Sequence, residues 1–189
     1  MVSRHKKIIL ISLFAALTAI GSFLRIPFPY VPFTLQTFFV ILSGDILGPK
    51  YGAYSQIIYI AIGLFGLPIF AYGGGIGYIL QPSFGYVLAY PLGALICGTF
   101  IHHNIRFKRS QNNAALMVKV SLFNIFGLLS IFAIGLIYLY LNLRFIVGQD
   151  IESMRLLWSG LIVFIPGDLI KVLLASWMTI KLYPYLGDH

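Results

Sequence analysis

The chain has 189 residues, enough for one domain. It is 59% hydrophobic and only 10% charged, and its mean hydropathy is +0.92. A soluble domain carries about 25% charged residues, and a disordered one needs low hydrophobicity. Both classes are excluded, which leaves an integral membrane protein. The 13 Lys and Arg against 5 Asp and Glu give a formal charge of +8. In a membrane protein such bases sit in loops and set orientation, so nucleic acid is not indicated as a partner. The lone cysteine, Cys97, lies in an apolar run. It forms no internal disulfide, and a metal site built on it is disfavoured.

Apolar runs recur between short polar breaks. They cover Ile8 to Leu24, Leu35 to Leu47, Tyr54 to Tyr72, Phe84 to Ile101, Leu116 to Leu141 and Leu156 to Leu182. A helix needs about 20 apolar residues to cross the hydrocarbon. All but the second run reach or approach that length. Short or Pro/Gly-interrupted segments in transporters border binding sites, because non-helical backbone is tolerated only where it lines a cavity. The sixth run is itself interrupted, by Pro166-Gly167. The runs are continuous rather than alternating, which argues against a β-barrel. The expectation is an all-α integral membrane protein, one six-helix domain over 1–189, with the second helix short and the sixth kinked at Pro166-Gly167.

Arg4-His5-Lys6-Lys7 ahead of an apolar stretch has the outline of a signal peptide. No small-x-small cleavage pair follows, so a first helix with a basic anchor is the better reading. With six helices, both ends lie on one side. That side holds eight bases: Arg4, Lys6, Lys7, Lys50, Arg106, Lys108, Arg109 and Lys181. Lys119 adds a ninth. The opposite side holds Arg25, Arg144 and Arg155, with Asp150 and Glu152 beside the last two. The imbalance places both ends in the cytoplasm. Asp45 and Lys50 flank the cytoplasmic end of the second run and are read as facing a loop. His102-His103 is read as part of the loop after the fourth run, since adjacent residues do not share a helix face.

No G-x-x-x-x-G-K-[ST], H-E-x-x-H or G-x-S-x-G occurs. ATP hydrolysis and a serine-hydrolase elbow are therefore not expected of this chain. The informative residues are the polar ones at membrane depth, where an ionisable group is costly. Ile165-Pro166-Gly167-Asp168-Leu169-Ile170-Lys171 is the strongest constellation. Asp168 and Lys171 are three apart and share a helix face. Asp168 is expected about 18 Å into the sixth helix, near mid-bilayer. Two readings remain, a ligand-lining acid and base or a self-neutralising pair, and the coincident helix break favours the first.

The stretch Tyr72 to Tyr86 carries five glycines, several aromatics and no charge. Gly74, Gly75 and Gly77 let the backbone approach a ligand closely, or flex as a lid. Tyr78, Gln81, Phe84, Tyr86 and, beyond them, Tyr90 are candidate walls and hydrogen-bonding groups. A plain flexible loop is the competing reading. Pro27 to Thr37 is held extended by its prolines, and Thr34 and Gln36 are positioned to bond inside a pocket or, for Thr34, to cap the next helix. Ala15-x-x-x-Ala19 permits close helix packing.

Together these segments resemble the BioY family, the biotin-binding S components of energy-coupling factor vitamin transporters. The matching stretches are VPFTLQT (31–37), GDILGPKYGAY (44–54), GGGIGYILQPSFGY (73–86) and IPGDLIK (165–171), in matching order and spacing. Ser83-Phe84 departs from the Thr-Gly often found there, and Lys119 to Glu152 matches no motif. The resemblance implies a plasma-membrane subunit that captures biotin from outside. Its implied partners are a transmembrane T component and two ATPase subunits that supply the energy. Ala15 and Ala19 look like the small-residue pair by which such subunits dock on the T component. Asp168 and Lys171 look like ligand-binding residues, with the glycine loop closing over the ligand. No cofactor or metal is implied; biotin is the cargo.

The chemistry is compatible with that ligand. Biotin has an apolar bicycle, a ureido group that donates and accepts, and a carboxylate. Asp168 can accept ureido N–H bonds, and Lys171 can bind the ureido oxygen or the carboxylate. Three other readings stand beside this one: an S component for another vitamin, an ion-coupled secondary transporter with Asp168 as its proton site, and an intramembrane enzyme.

Overall fold

The computed structural model describes residues 4–104, 113–149 and 152–186. Arg106, Lys108, Arg109 and Asp150, counted above for orientation, lie outside the described residues. The elements are helix α1 (Arg4–Phe23), strands β1 (Arg25–Ile26) and β2 (Phe33–Thr34), and helices α2 (Gln36–Leu64), α3 (Phe84–Asn104), α4 (Asn113–Asn142), α5 (Ser153–Gly160) and α6 (Ile165–Leu186). Four helical stretches are long and apolar enough to cross a membrane: 5–23, 84–103, 114–147 and 153–182. The protein is a helical, multi-pass membrane protein.

The expected six-helix count is not reproduced. Five helices are long, and α2 carries both the second and the third apolar runs. The two halves of α2 meet at Gly48, which has φ 81° and ψ 174°. Glycine takes that conformation without a Cβ penalty. Pro49, which has no amide hydrogen to lose, then opens the second half. The third run ends as helix at Leu64, and its last residues pass into the glycine-rich connection.

The kink expected at Pro166-Gly167 lies earlier. The segment breaks at Leu161 (φ −139°, ψ −61°) and passes through a 3-10 turn over Ile162–Phe164. Pro166 falls in the first turn of α6, where its missing N–H has no intrahelical partner to lose. Asp168 consequently sits in the first turn of a new helix, not in the middle of a long one.

α2 is central: it packs on α1, α3 and α6, and α4 closes the ring between α3 and α6. β1 and β2 pair antiparallel, Arg25 with Thr34 and Ile26 with Phe33. The Leu35 amide donates to the carbonyls of Gly21 and Leu24, so the hairpin fixes the start of α2 against the end of α1. On the other side of α2 the backbones approach very closely. A Cβ at Gly44 would lie 2.2 Å from the Ala94 oxygen of α3, and one at Gly98 would lie 2.5 Å from the Pro49 nitrogen. Membrane helices associate through such small-residue contacts, because no hydrophobic drive holds them together in lipid.

Two polar expectations change here. Asp45, expected to face a loop, is fully buried. His102 and His103 lie in the last turn of α3 instead of a loop, and His102 Nε2 is 3.1 Å from the Asp45 main-chain oxygen.

The glycine contact makes a direct prediction. Gly44→Ala forces α2 away from Ala94 and should cost about 1–3 kcal/mol, read as a lower thermal unfolding midpoint in detergent. Gly77→Ala meets nothing within 4 Å and should leave the midpoint unchanged.

Candidate functional site

The first turn of α6 meets the start of α2 and the β2 strand. Three groups converge there. Asp168 and Lys171, one turn apart on α6, form an ion pair and are 4% and 5% exposed. Thr37 of α2 donates its hydroxyl to Asp168 Oδ1 at 3.0 Å and accepts from Lys171 Nζ at 2.8 Å. Lys171 Nζ also donates to the main-chain oxygen of Thr34 at 2.7 Å. An ammonium has three donors, and Thr34, Thr37 and Asp168 account for all three. Its remaining side lies over the Phe33 ring, 4.0 Å from the centroid, a cation–π contact.

Phe33 is held in turn. Its ring stacks on Phe164 at 6.1 Å, and Gly167 makes room for it, since a Cβ there would lie 2.3 Å from the ring. Both contacts of Asp168 go to Oδ1, which leaves Oδ2 as the acceptor available to a ligand.

A cavity opens beside this cluster, with an empty volume of about 370 Å³ counting its mouth. Its polar end is Thr34, Thr37, Asp168 and Lys171, and its walls include Phe33, Tyr86, Tyr90, Ile131, Phe132 and Phe164. An apolar, ring-lined chamber with one buried charge pair suits a small ligand with a flat apolar body and a polar end.

The structure brings together Thr34, Tyr86, Tyr90, Asp168 and Lys171 of the residues named from the sequence. Gln36 stands behind them. Its Nε2 donates to the Tyr59 hydroxyl at 2.6 Å, its Oε1 accepts from Thr34 Oγ1 at 3.0 Å, and its amide donates to the same hydroxyl at 3.3 Å. Thr34 lines the cavity and accepts from the first amide of α2, while the N-cap position itself is Leu35, without a side-chain cap bond.

The glycine loop does not line the cavity. Gly74, Gly75, Gly77, Tyr78, Gln81 and Phe84 are absent from its walls. The loop is folded down onto the helices instead. The Gly75 amide donates to the Gly63 oxygen at 2.7 Å. Asn142 of α4 donates to the Leu80 oxygen at 2.9 Å, and the Tyr138 hydroxyl donates to the Ile79 oxygen. Tyr78 is buried, 4.5 Å from Phe70 and 6.3 Å from Phe84 between ring centroids. Phe70 meets Tyr59 at 5.4 Å, and Tyr59 meets Tyr90 at 6.5 Å. A chain of rings therefore links the loop to the cavity wall. Gln81 points away and is exposed.

Sequence reasoning missed Thr37, Phe33, Phe164, Ile131 and Phe132. Thr37 and Phe33 lie within the VPFTLQT stretch, beside residues that were singled out. Ile131 and Phe132 come from a uniformly apolar helix, which carries no signal for them. On α1, Ala15 is buried in the protein's own core and Ala19 is half-buried. The outward small pair on that helix is Ser12 and Ala16, which are exposed.

Comparison with known proteins addresses the family and the overall fold. The BioY family model matches residues 1–188. A probable biotin transporter BioY from Lysinibacillus sphaericus is 39% identical over 176 residues, covering 93% of this chain and 86% of the relative. The biotin transporter BioY of Thermotoga maritima is 31% identical over 179 residues, covering 94% and 95%. A crystal structure of the S-component for biotin from an ECF-type ABC transporter superposes with a TM-score of 0.78 at 30% identity, covering 99% of this chain and 97% of that one. With the motifs, the fold and the family match in agreement along its length, the chain belongs to the BioY family.

Proposed function

We propose that this protein is the biotin-capturing S component of an energy-coupling factor transporter. The observation that carries the reading is the buried Asp168–Thr37–Lys171 cluster at one end of a ring-lined cavity. The relatives named for biotin make biotin the first ligand to test. Its bicycle fits between the aromatic walls. Asp168 Oδ2 accepts from a ureido N–H. Lys171 is already saturated by protein groups, so it acts first by holding Asp168 in place and aimed. Thr34, Gln36 and the Tyr59 hydroxyl form a hydrogen-bonded second layer behind the cavity. The glycine loop closes over the ligand by sliding on its ring contacts, with Gly74, Gly75 and Gly77 as the flexing points.

In this reading α2 counts as two membrane segments joined at Gly48, which gives six spans with both ends in the cytoplasm. The basic residues near the N-terminal end support that orientation. The protein works as one domain, carries no cofactor and performs no catalysis; ATP hydrolysis belongs to the two ATPase partners. The T component docks along the outward face of α1, at Ser12 and Ala16.

Isothermal titration of detergent-solubilised protein with biotin should give saturable heat. No heat with biotin and heat with another vitamin would reassign the ligand. Asp168→Asn turns an acceptor into a donor facing ureido N–H groups. It should weaken binding about 10- to 100-fold, from a loss of about 1–3 kcal/mol. Thr37→Val removes the hydroxyl between acid and base, and should weaken biotin binding about tenfold.

Docking separates from binding by a different pair of variants. Ala16→Trp should leave biotin affinity unchanged and abolish uptake in cells that contain all partner subunits. Ala15→Trp, which inserts bulk into the core, should instead lower the unfolding temperature. Uptake that survives Ala16→Trp would remove α1 as the docking face.

A further inference from the structure

Among the described residues two acids lie in membrane helices: Asp168, which pairs with Lys171, and Asp45, whose carboxylate accepts from neutral groups. Asp45 is fully buried, on α2 three residues before the Gly48 break. Its Oδ2 accepts from Thr179 Oγ1 of α6 at 2.6 Å and from Asn124 Nδ2 of α4 at 2.9 Å. Asn124 Nδ2 also donates to Ser176 Oγ at 3.1 Å. Asn124, Ser176 and Thr179 are all fully buried. Among the described residues, Asp45 Oδ1 and Asn124 Oδ1 have no hydrogen-bond donor. The cluster therefore has oxygen acceptors in excess and one uncompensated carboxylate.

A bare carboxylate inside a membrane protein is strongly unfavourable, and it is relieved by a proton or a bound cation. The titratable groups that face it are few. α3 brings His102, whose ring nitrogen lies 3.1 Å from the Asp45 main-chain oxygen, and Cys97, a buried thiol. α4 and α6 bring only the neutral amide and hydroxyls. The donor set is all oxygen with a single negative charge. That suits a monovalent ion, whereas calcium or zinc calls for several carboxylates or for His and Cys ligands. No group of three such residues is present among the described residues.

We propose that Asp45, Asn124 and Thr179 form a binding site for one monovalent cation, a proton or a sodium ion. The site is separate from the ligand cavity yet built on the same helices. Asp45 lies eight residues beyond Thr37, about 12 Å along α2, and Thr179 lies eleven beyond Asp168, about 16 Å along α6. The occupant neutralises Asp45 and fastens α2, α4 and α6 together below the cavity.

Two measurements on the purified full-length protein in detergent test the site, on wild type, Asp45→Asn and His102→Gln. The first is the thermal unfolding midpoint in sodium, potassium and choline chloride at equal ionic strength and fixed pH. The second is the infrared carbonyl band of a protonated carboxyl. A sodium-specific rise of several degrees that is lost in Asp45→Asn and kept in His102→Gln identifies sodium as the occupant. A protonated-carboxyl band lost in Asp45→Asn and kept in His102→Gln identifies the proton. Neither signal in wild type, or either one persisting in Asp45→Asn, overturns the proposal. If Asp45→Asn does not fold, Thr179→Val keeps the acid and removes a partner. It should shift the band, or raise the sodium concentration for half-maximal stabilisation about tenfold. An unaltered response in Thr179→Val overturns the site as drawn.

Discussion

The buried ammonium of Lys171 is the constraint around which the cavity half of the molecule is arranged. A charge at 5% exposure is tolerable only if each of its donors is met and its counter-charge is near. The Thr34 oxygen of β2, the Thr37 hydroxyl of α2 and Asp168 of α6 meet those demands from segments far apart in sequence. Satisfying them fixes the distance between the starts of α2 and α6. It explains why a strand precedes α2, since the Thr34 carbonyl must be free to accept from a side chain. It also explains why Gly167 lies beside Phe33, whose ring covers the remaining face of the cation.

The opposite half answers a different demand. There α2, α3 and α4 touch almost backbone to backbone, at Gly44, Ala94 and Gly98, and again where a Cβ at Gly127 would lie 2.1 Å from the Cys97 sulfur. Close approach brings dispersion contacts in lipid but leaves no room for side chains to solvate a polar group. Asp45 sits in that tight region, so its partners have to come from the helix surfaces themselves. The two acids of the membrane region thus live under opposite regimes: Asp168 has a dedicated cation and an adjoining cavity, while Asp45 has neutral donors on one oxygen only.

Much of this was legible in the sequence because the membrane restricts the choices. Apolar runs gave the long helices, and the three-residue spacing of Asp168 and Lys171 placed them on one face. The boundaries were less legible where one residue decides the backbone. Gly48 turns two runs into one broken element, and nothing in composition separates that glycine from the others. Pro166 drew attention as a kink, yet proline at a helix start is unstrained, so the break moved to Leu161. Cavity walls from α4 were invisible because Ile131 and Phe132 sit in a run where every neighbour is apolar. Asp45 was misjudged for a related reason: nearness to the end of a run suggests a loop, but α2 continues past it. Ala15, read from the sequence as a docking residue, lies buried in the core, and Ala19 is half-buried, because an apolar helix gives no sign of which face turns inward.

The chain of rings from Tyr78 through Phe70 and Tyr59 to Tyr90 has a consequence for how the protein communicates. These rings are buried and in contact, and close-packed interiors transmit displacement and do not absorb it. Whatever presses on Tyr90 from the cavity is felt at Tyr78, underneath a loop whose outer residues Ile76 and Leu80 are exposed. A ligand that displaced Tyr90 would therefore press on the same packed column of rings that supports the exposed loop residues.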